Sequence, residues 1–206
     1  MVMQRKVAIL QSANRHFATH GFRGASLRDI ARDAEVSLTL LNHHFGSKFD
    51  LLCAVIDAHR DVLDQRVEMF RRYVRPGQDP AAFEALMREW TEAVYRNASD
   101  SDGLTFLRLL VRVIGDPEAE AADVVRGRLE DAAQAFIDAM ICLFPGTNRR
   151  AAALAYLAST AALMRYVTTP NRLAQAIGDE AREVLDGERA RLLKLLIAGA
   201  RAALLD

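Results

Sequence analysis

Three polar side chains between residues 39 and 43 can each form hydrogen bonds with a partner outside the protein. Thr39, Asn42 and His43 carry a hydroxyl, an amide and an imidazole, which bond to the edges of nucleic-acid bases or to phosphate oxygens. Lys48 follows closely in the chain and supplies an ammonium group suited to a phosphate. These residue types at this spacing predict a surface that contacts nucleic acid.

The polar side chains share one face of a predicted helix over residues 38–45. At 3.6 residues per turn, Leu38, Leu41 and Phe45 fall on one side, which we expect to pack against the protein. The polar residues fall on the opposite side together with Leu40, whose side chain can contact a thymine methyl group. The helix therefore presents a face that can enter a DNA major groove.

Serines mark the starts of three consecutive predicted helices. Ser37 stands at the N-cap of the helix just described, while Ser26 with Asp29 and Ser47 with Asp50 each fit the pattern of a capping box. Two short helices about one turn apart, followed at once by a longer one, are typical of a helix-turn-helix. The sequence therefore predicts this motif.

The motif, at about residues 26–45, belongs to a predicted three-helix DNA-binding head over residues 1–50. Residues 51–206 are predicted to form an α-helical body that binds a ligand and dimerises. Few prolines, 7% aromatic residues and 51% hydrophobic residues favour an all-α fold of about nine helices. The body is expected to begin with one unbroken helix over about 48–74, and a polar loop is expected at 98–103.

Charge is distributed unevenly, although the formal net charge is zero. The first fifty residues carry seven lysines and arginines against four aspartates and glutamates, and they hold four of the five histidines. The rest of the chain is acidic by the same count. A basic head on an acidic body fits local contact with phosphate.

Other functional classes have little support in the sequence. No glycine-rich phosphate loop, activated nucleophile or His/Glu metal spacing is recognisable, so no enzyme activity, cofactor or metal is expected. Cys53 and Cys142 are expected to be buried, reduced thiols, with a redox-sensing pair as the alternative. No apolar run reaches the ~20 residues of a membrane span, and the first residues do not resemble a signal peptide. A cytoplasmic protein without membrane contact is therefore expected.

The last two long predicted helices, at about 149–167 and 180–205, are apolar around much of their circumference. A helix with two apolar faces is buried on two sides, either in the centre of a subunit or in a four-helix bundle between two subunits. We favour the bundle and expect a homodimer. The predicted interface residues are Leu154, Leu157, Leu163, Leu192, Leu196 and Leu204.

Residues 21–52 carry a longer pattern that fixes caps, core positions and the lysine together. It reads Gly-Phe-x-Gly-x-Ser-Leu-Arg-Asp-Ile-Ala-x-x-Ala-x-Val-Ser, then Leu-x-His-His-Phe-Gly-Ser-Lys-x-x-Leu-Leu. Over about residues 5–60 the chain resembles the N-terminal signature of TetR-family transcriptional regulators. The resemblance implies a homodimeric repressor that binds a palindromic double-stranded DNA operator and is released from it by a small effector bound in the body.

The resemblance also implies DNA-contacting positions. To the family's contacts we add Leu40 from the helix face, which gives Leu27, Ser37, Leu38, Thr39, Leu40, Asn42, His43 and Lys48. The chain departs from the family pattern in three ways. Glu35 stands where glycine is usual, and it tolerates a positive φ poorly. Asn42 replaces a frequent tyrosine and so weakens a phosphate contact. Leu38 and Leu40 replace residues that are commonly polar.

An effector pocket is implied among the helices of the body. Its candidate residues are mainly aromatic and include two arginines on one face of a predicted helix: Trp90, Tyr95, Phe106, Arg108, Arg112, Phe136, Met140 and Tyr166. Sparse charge favours a small apolar or aromatic effector, and an inward-facing arginine pair would bind a carboxylic acid. For that pair we favour a solvated surface, and the inward-facing arrangement is the alternative. An activator, or a regulator controlled by a protein partner, is the alternative to a ligand-released repressor.

Overall fold

The structure, a computed structural model, describes residues 2–75, 81–115, 120–169 and 185–205, and every regular element within these ranges is an α-helix. This confirms the all-α prediction. The described helices are α1 (Val2–Gly24), α2 (Leu27–Asp33), α3 (Leu38–Phe45), α4 (Lys48–Ala58), α5 (Arg60–Arg71), α6 (Ala81–Ser99), α7 (Ser101–Ile114), α8 (Glu120–Leu143), α9 (Arg149–Thr168) and α10 (Leu185–Leu205). None of them is both long and apolar enough to cross a membrane.

The helix predicted over residues 48–74 is divided in two, so that prediction is wrong. His59 lies between α4 and α5 with φ −104° and ψ 17°. Its imidazole stacks on the ring of Phe106, with the centroids 4.0 Å apart and the planes inclined by 13°. No glycine or proline marks the position in the sequence. The break coincides with a contact made by a residue distant in the chain, which helical periodicity does not report.

A second difference concerns the polar loop predicted at 98–103. Only Asp100 separates α6 from α7. Its carboxylate accepts a hydrogen bond from the backbone N–H of Gly103 at 2.8 Å, which caps the start of α7. The connection between α6 and α7 is therefore one residue long, whereas the polar composition of residues 98–103 predicted a loop of six.

The chain divides into two compact units, of which the first comprises Met1–Leu63 and Asp100–Leu129. Its core is built on one stripe of α1, where Ile9, Ala13 and Phe17 are fully buried. Their spacing of three or four residues places them on one face of the helix. Within this unit α1 packs against α2, α4 and α7, so α1 is the support on which the helix-turn-helix rests.

The second unit comprises Asp64–Ser99 and Glu130–Asp206. Its core is aromatic: the ring of Trp90 lies 5.4 Å from that of Phe70, 5.5 Å from that of Phe136 and 6.0 Å from that of Tyr156, centroid to centroid. Each aromatic side chain in such a cluster buries a large apolar surface area. Within this unit α9 packs against both α6 and α10.

These units divide the chain differently from the functional division expected at residue 50. The functional division into a DNA-binding head over 1–50 and a ligand-binding body over 51–206 therefore stays a prediction. The first part of the predicted last helix, residues 180–184, lies outside the described residues.

Candidate nucleic-acid interface

α3 is held by buried apolar side chains on one face and by a serine cap at its start. Leu41 is fully buried, while Leu38 and Phe45 are half-buried beside it. The hydroxyl of Ser37 accepts a hydrogen bond from the backbone N–H of Leu40 at 3.1 Å, which satisfies one of the donors left free at a helix start. The orientation of α3 is therefore fixed on its inner side.

The outer face of α3 carries the three polar side chains that were predicted for it from the sequence. Thr39, Asn42 and His43 are exposed, and the ring of His43 lies edge-on to that of His44 with centroids 5.6 Å apart. Leu40 is half-buried, so only part of its side chain can reach a DNA base. The face thus combines a hydroxyl, an amide and an imidazole on one exposed surface.

Of the two predicted capping boxes, one is present and one is wrong. At the start of α4 the N–H of Asp50 donates to the Ser47 hydroxyl oxygen, and the N–H of Ser47 donates to the Asp50 carboxylate, which completes the box. The Ser47 hydroxyl also donates to this carboxylate at 2.6 Å, and the two bonds that the carboxylate accepts lower the pKa of Asp50. Ser26 stands at the N-cap of α2 but makes no capping hydrogen bond with its side chain. Asp29 pairs instead with Arg32 at 2.5 Å.

Lys48, a predicted phosphate contact, makes hydrogen bonds within the fold. Its Nζ donates hydrogen bonds to the carbonyl oxygens of Arg23 and Ala25, each at 3.2 Å, and lies 4.9 Å from the ring centroid of Phe22. An ammonium group has three N–H donors, and two of them hold the connection between α1 and α2. Sequence reasoning identified the lysine but missed these carbonyls, because backbone acceptors leave no trace in residue type.

The turn between α2 and α3 has the hydrogen bonds of a Schellman motif. The N–H of Val36 donates to the carbonyl of Ala31 at 2.9 Å, and that of Glu35 to the carbonyl of Arg32 at 3.2 Å. Glu35 has φ 54°, the left-handed region that normally selects glycine. The structure therefore confirms that a residue poorly suited to this conformation occupies the turn.

Leu27, the remaining predicted DNA contact, stands at the first position of α2. It is half-buried and packs against the core of the first unit. Only part of its surface is available to DNA, so its contribution is expected to be through packing of α2 as much as through contact.

Three of the predicted effector residues lie in the first unit. Phe106 is fully buried and stacks on His59. Arg108 and Arg112 are exposed on α7, and the side chain of Arg112 lies beside Gly21. The exposure of both side chains agrees with the solvated surface favoured for this pair and not with the inward-facing alternative.

The other five predicted effector residues lie in the second unit. Trp90, Phe136 and Met140 are fully buried, and the rings of Tyr95 and Tyr166 meet edge-on with centroids 6.1 Å apart. Burial raises the pKa of Tyr95 to about 12, so its hydroxyl stays protonated at neutral pH. Among the described residues, the indole N–H of Trp90 and the hydroxyl of Tyr95 have no hydrogen-bond partner.

Three pockets formed by described residues contain none of these eight side chains. The largest of the three, about 570 Å³, lies between α6 and α10 and is lined by apolar residues together with Glu84, Arg88, Lys194 and Arg201. A second of about 320 Å³ lies between α5 and α8, and a third of about 140 Å³ lies in the first unit.

The leucines predicted at the dimer interface separate into two groups. Leu163, Leu196 and Leu204 are buried within the single chain, so their place is in the core of the subunit and not at its surface. Leu192 is half-buried. Leu154 and Leu157 are 58% and 63% exposed, and these two remain free to meet a partner.

The two cysteines are free thiols, and both are half-buried where full burial was expected. Partial burial raises the pKa of the Cys53 thiol. Within the described ranges, no group of three histidine, cysteine, aspartate or glutamate side chains is placed to hold a metal ion.

Two family models match this chain. Residues 9–55 match the model of bacterial regulatory proteins of the TetR family, and residues 90–199 match the model of the tetracyclin repressor-like C-terminal domain. The second match alone covers more than half of the 206 residues. The chain belongs to the TetR family.

Two curated relatives are similar to parts of this TetR-family chain. The HTH-type transcriptional regulator BetI of Agrobacterium fabrum is 39% identical over 64 residues, which span 29% of this chain and 31% of BetI. The HTH-type transcriptional repressor KstR2 of Rhodococcus jostii is 34% identical over 91 residues, which span 44% of this chain and 43% of KstR2. This chain thus matches less than half the length of either relative.

Solved structures of similar fold cover nearly the whole chain. NalD of Pseudomonas aeruginosa, the secondary repressor of the MexAB-OprM multidrug efflux pump, has a TM-score of 0.65, 24% identity and 96% coverage of both chains. The fatty acid degradation regulator FadR of Bacillus halodurans has a TM-score of 0.63 and 15% identity, with 94% of this chain and 98% of FadR covered. At these identities the likeness shows the TetR-family fold alone.

Proposed function

We propose that this TetR-family chain is a DNA-binding transcriptional repressor that reads its operator with α3. The observation that carries the proposal is the two-sided character of this helix: Leu41 is fully buried, while Thr39, Asn42 and His43 are exposed opposite to it. A helix anchored in this way can lie in a major groove and present hydrogen-bonding groups to base edges. Lys48 adds a phosphate contact beside it.

The functional unit of this proposal is a homodimer formed through α9 and α10. Leu154 and Leu157 on α9 and Leu195 on α10 are 58%, 63% and 69% exposed, which is unusual for leucines on packed helices and indicates a surface with a partner. Two identical subunits related by a two-fold axis require an operator with the same symmetry, with half-sites about one helical turn apart. The operator is therefore a roughly palindromic duplex.

Release of the operator by a small apolar or aromatic effector completes the proposal. The pocket of about 570 Å³ between α6 and α10 in the second unit supports it, since Leu193 and Ile197 give part of its wall an apolar surface. TetR-fold neighbours have been crystallised with stearoyl-CoA and with triclosan. The exposure of Arg108 and Arg112 removes the support for a carboxylate held by this pair. No enzyme activity is assigned, and a regulator of this kind acts in the cytoplasm.

The first test is operator binding by variants of α3. An operator is selected from random duplexes, and its affinity is measured by fluorescence anisotropy for the wild type, Thr39→Val and Gln65→Ala, the last being an exposed site on α5. Thr39→Val should lose about 1–3 kcal/mol of discrimination at particular base pairs, while Gln65→Ala should bind like the wild type. Equal affinity and equal discrimination in all three proteins would show that α3 is not the reading helix.

The second test separates phosphate affinity from sequence choice. Lys48→Ala should weaken binding to every duplex and reduce the slope of log K against log salt by about one. Because Lys48 also bonds two carbonyls within the fold, circular dichroism must first show that the variant is folded at the assay temperature. An unchanged salt slope in a folded variant contradicts the assigned phosphate contact.

A further inference from the structure

A small pocket of about 140 Å³ lies within the first unit, where α1, α4 and the first turn of α7 meet. Val7 and Leu10 of α1 and Val55 of α4 give it an apolar wall, and His59 and Asp102 give it a polar end. A cavity of about this size accommodates a molecule of roughly six non-hydrogen atoms, as benzene-binding cavities show. We call it the His59 pocket.

The polar end of the His59 pocket is electrostatically negative. The Asp102 carboxylate lies 3.6 Å from Nε2 of His59. Burial lowers the pKa of His59 although Asp102 and Asp100 oppose this shift, so the imidazole is neutral at pH 7 and does not compensate the carboxylate. Among the described residues, no lysine or arginine lines the pocket. Charge at this end therefore favours a cation.

The buried side-chain amide of Asn14 lies next to Asp102 and donates two hydrogen bonds to it. Nδ2 of Asn14 donates to the Asp102 carboxylate at 3.0 Å and to its backbone carbonyl at 3.3 Å. Asn14 is 1% exposed, and its Oδ1 has no hydrogen-bond partner among the described residues. The amide orientation is fixed by the two bonds of Nδ2, so Oδ1 must act as an acceptor. Asn14 is not among the described residues that line the His59 pocket, so its part is to hold the Asp102 side chain in place through the two bonds of Nδ2.

We propose that the His59 pocket binds a small organic cation, an ammonium group carrying a short aliphatic chain. The ammonium offers three N–H donors and a positive charge, which match the Asp102 carboxylate and the neutral imidazole of His59. The chain lies against the apolar wall of the pocket. This site is distinct from the aromatic core of the second unit, and the inference does not rest on the proposed DNA binding.

The test is an NMR titration of the full-length ¹⁵N-labelled protein. The probe is n-butylammonium chloride, and the matched references are n-butanol, which has the same chain without the charge, and sodium chloride at equal ionic strength. We expect saturable shifts of the His59 ring nitrogens and of the Val55 amide with n-butylammonium alone. Asp102→Asn should weaken this binding at least tenfold, whereas Asp61→Asn, which removes an exposed carboxylate on α5, should leave it unchanged.

Several results would overturn the proposal. Equal binding of n-butanol would mean that the apolar wall alone recognises the ligand, and shifts that rise linearly as they do with sodium chloride would mean that no site exists. Undiminished binding by Asp102→Asn would exclude the carboxylate. If Asp102→Asn does not fold, Val7→Phe serves instead, because Val7 is 48% exposed and a larger side chain there narrows the pocket without entering the core. Saturable n-butylammonium binding that survives Val7→Phe would also refute the assignment.

Discussion

Replacing Glu35 by glycine should stabilise this protein. Glu35 occupies the left-handed position of the Schellman motif between α2 and α3, with φ 54°. In this conformation the Cβ of an L-residue crowds its own backbone. Glycine has no Cβ and adopts the same φ without that cost. The carboxylate of Glu35 is exposed, so little contact is lost with the side chain.

The expected gain follows from two opposing terms. The left-handed conformation costs a non-glycine residue about 1–2 kcal/mol, and glycine loses about 0.5–1 kcal/mol more backbone entropy than alanine on folding. With the middle of each range, the difference leaves the free energy of unfolding of Glu35→Gly higher by about 0.75 kcal/mol. For a chain of this length, a gain of this size raises Tm by about 1–4 °C.

Urea denaturation followed by circular dichroism measures this gain, with Glu35→Ala as the matched control. Alanine also removes the carboxylate but keeps Cβ, so its free energy of unfolding should stay within about 0.5 kcal/mol of the wild type. If Glu35→Gly is no more stable than Glu35→Ala, the positive φ carries no cost in this turn and the reasoning fails. The m-value must be unchanged for the comparison to hold.

Further predictions concern the subunit surface and the acid limit of stability. Leu157→Glu, at a 63% exposed position, should yield a folded monomer by sedimentation equilibrium, and a dimeric mass would contradict the interface proposed on α9. Leu196→Glu, at a 5% exposed position, should instead lower the urea midpoint, because it buries a charge in the subunit core. Hydrogen bonds from Ser12 and Arg15 hold the pKa of Asp33 below its usual 3.8. Their stabilisation is therefore present at neutral pH and lost as pH falls through the folded pKa. Asp33→Asn should flatten the loss of stability between about pH 5 and pH 2, and an unchanged acid limb would exclude this carboxyl as its source.

Structural features that depend on only three or four neighbouring residues, such as helix caps, could be predicted from the sequence. The Ser37 cap and the Ser47–Asp50 box form between groups that a helix start brings together whatever surrounds it. The same reasoning failed at Ser26, where Asp29 pairs with a neighbouring arginine instead. A local pattern is therefore reliable only when no other partner lies within reach of its side chains.

The direction in which an apolar helix faces was not predictable in the same way. Leu157 and Leu163 belong to the same helix and have the same residue type, yet one is 63% exposed and the other 0%. Periodicity shows that α9 has two apolar faces, but it does not tell which face meets the subunit's own core. Arg108 and Arg112 present the same difficulty on α7, since sharing a face does not reveal whether that face is inside.

The helix break at His59 depends on a residue far away in the chain. Its partner in the stack, Phe106, is separated from it by α5 and α6. Sequence reasoning had no glycine, proline or charge change from which to infer a boundary. The polar end of the His59 pocket was missed for the same reason, because Asn14, His59 and Asp102 come together only in the folded unit.

Under the proposed function, the bonds that Lys48 makes within the fold limit how operator affinity can change in this protein. A lysine that contacts only phosphate can be exchanged freely to strengthen or weaken binding, but this one also holds the carbonyls of Arg23 and Ala25. Arginine carries the same charge in a planar group of different geometry and would not reproduce both bonds. Substitutions that change operator affinity without destabilising the fold are therefore expected mainly at the exposed positions of α3. Attempts to change which operator the protein recognises should begin at these positions.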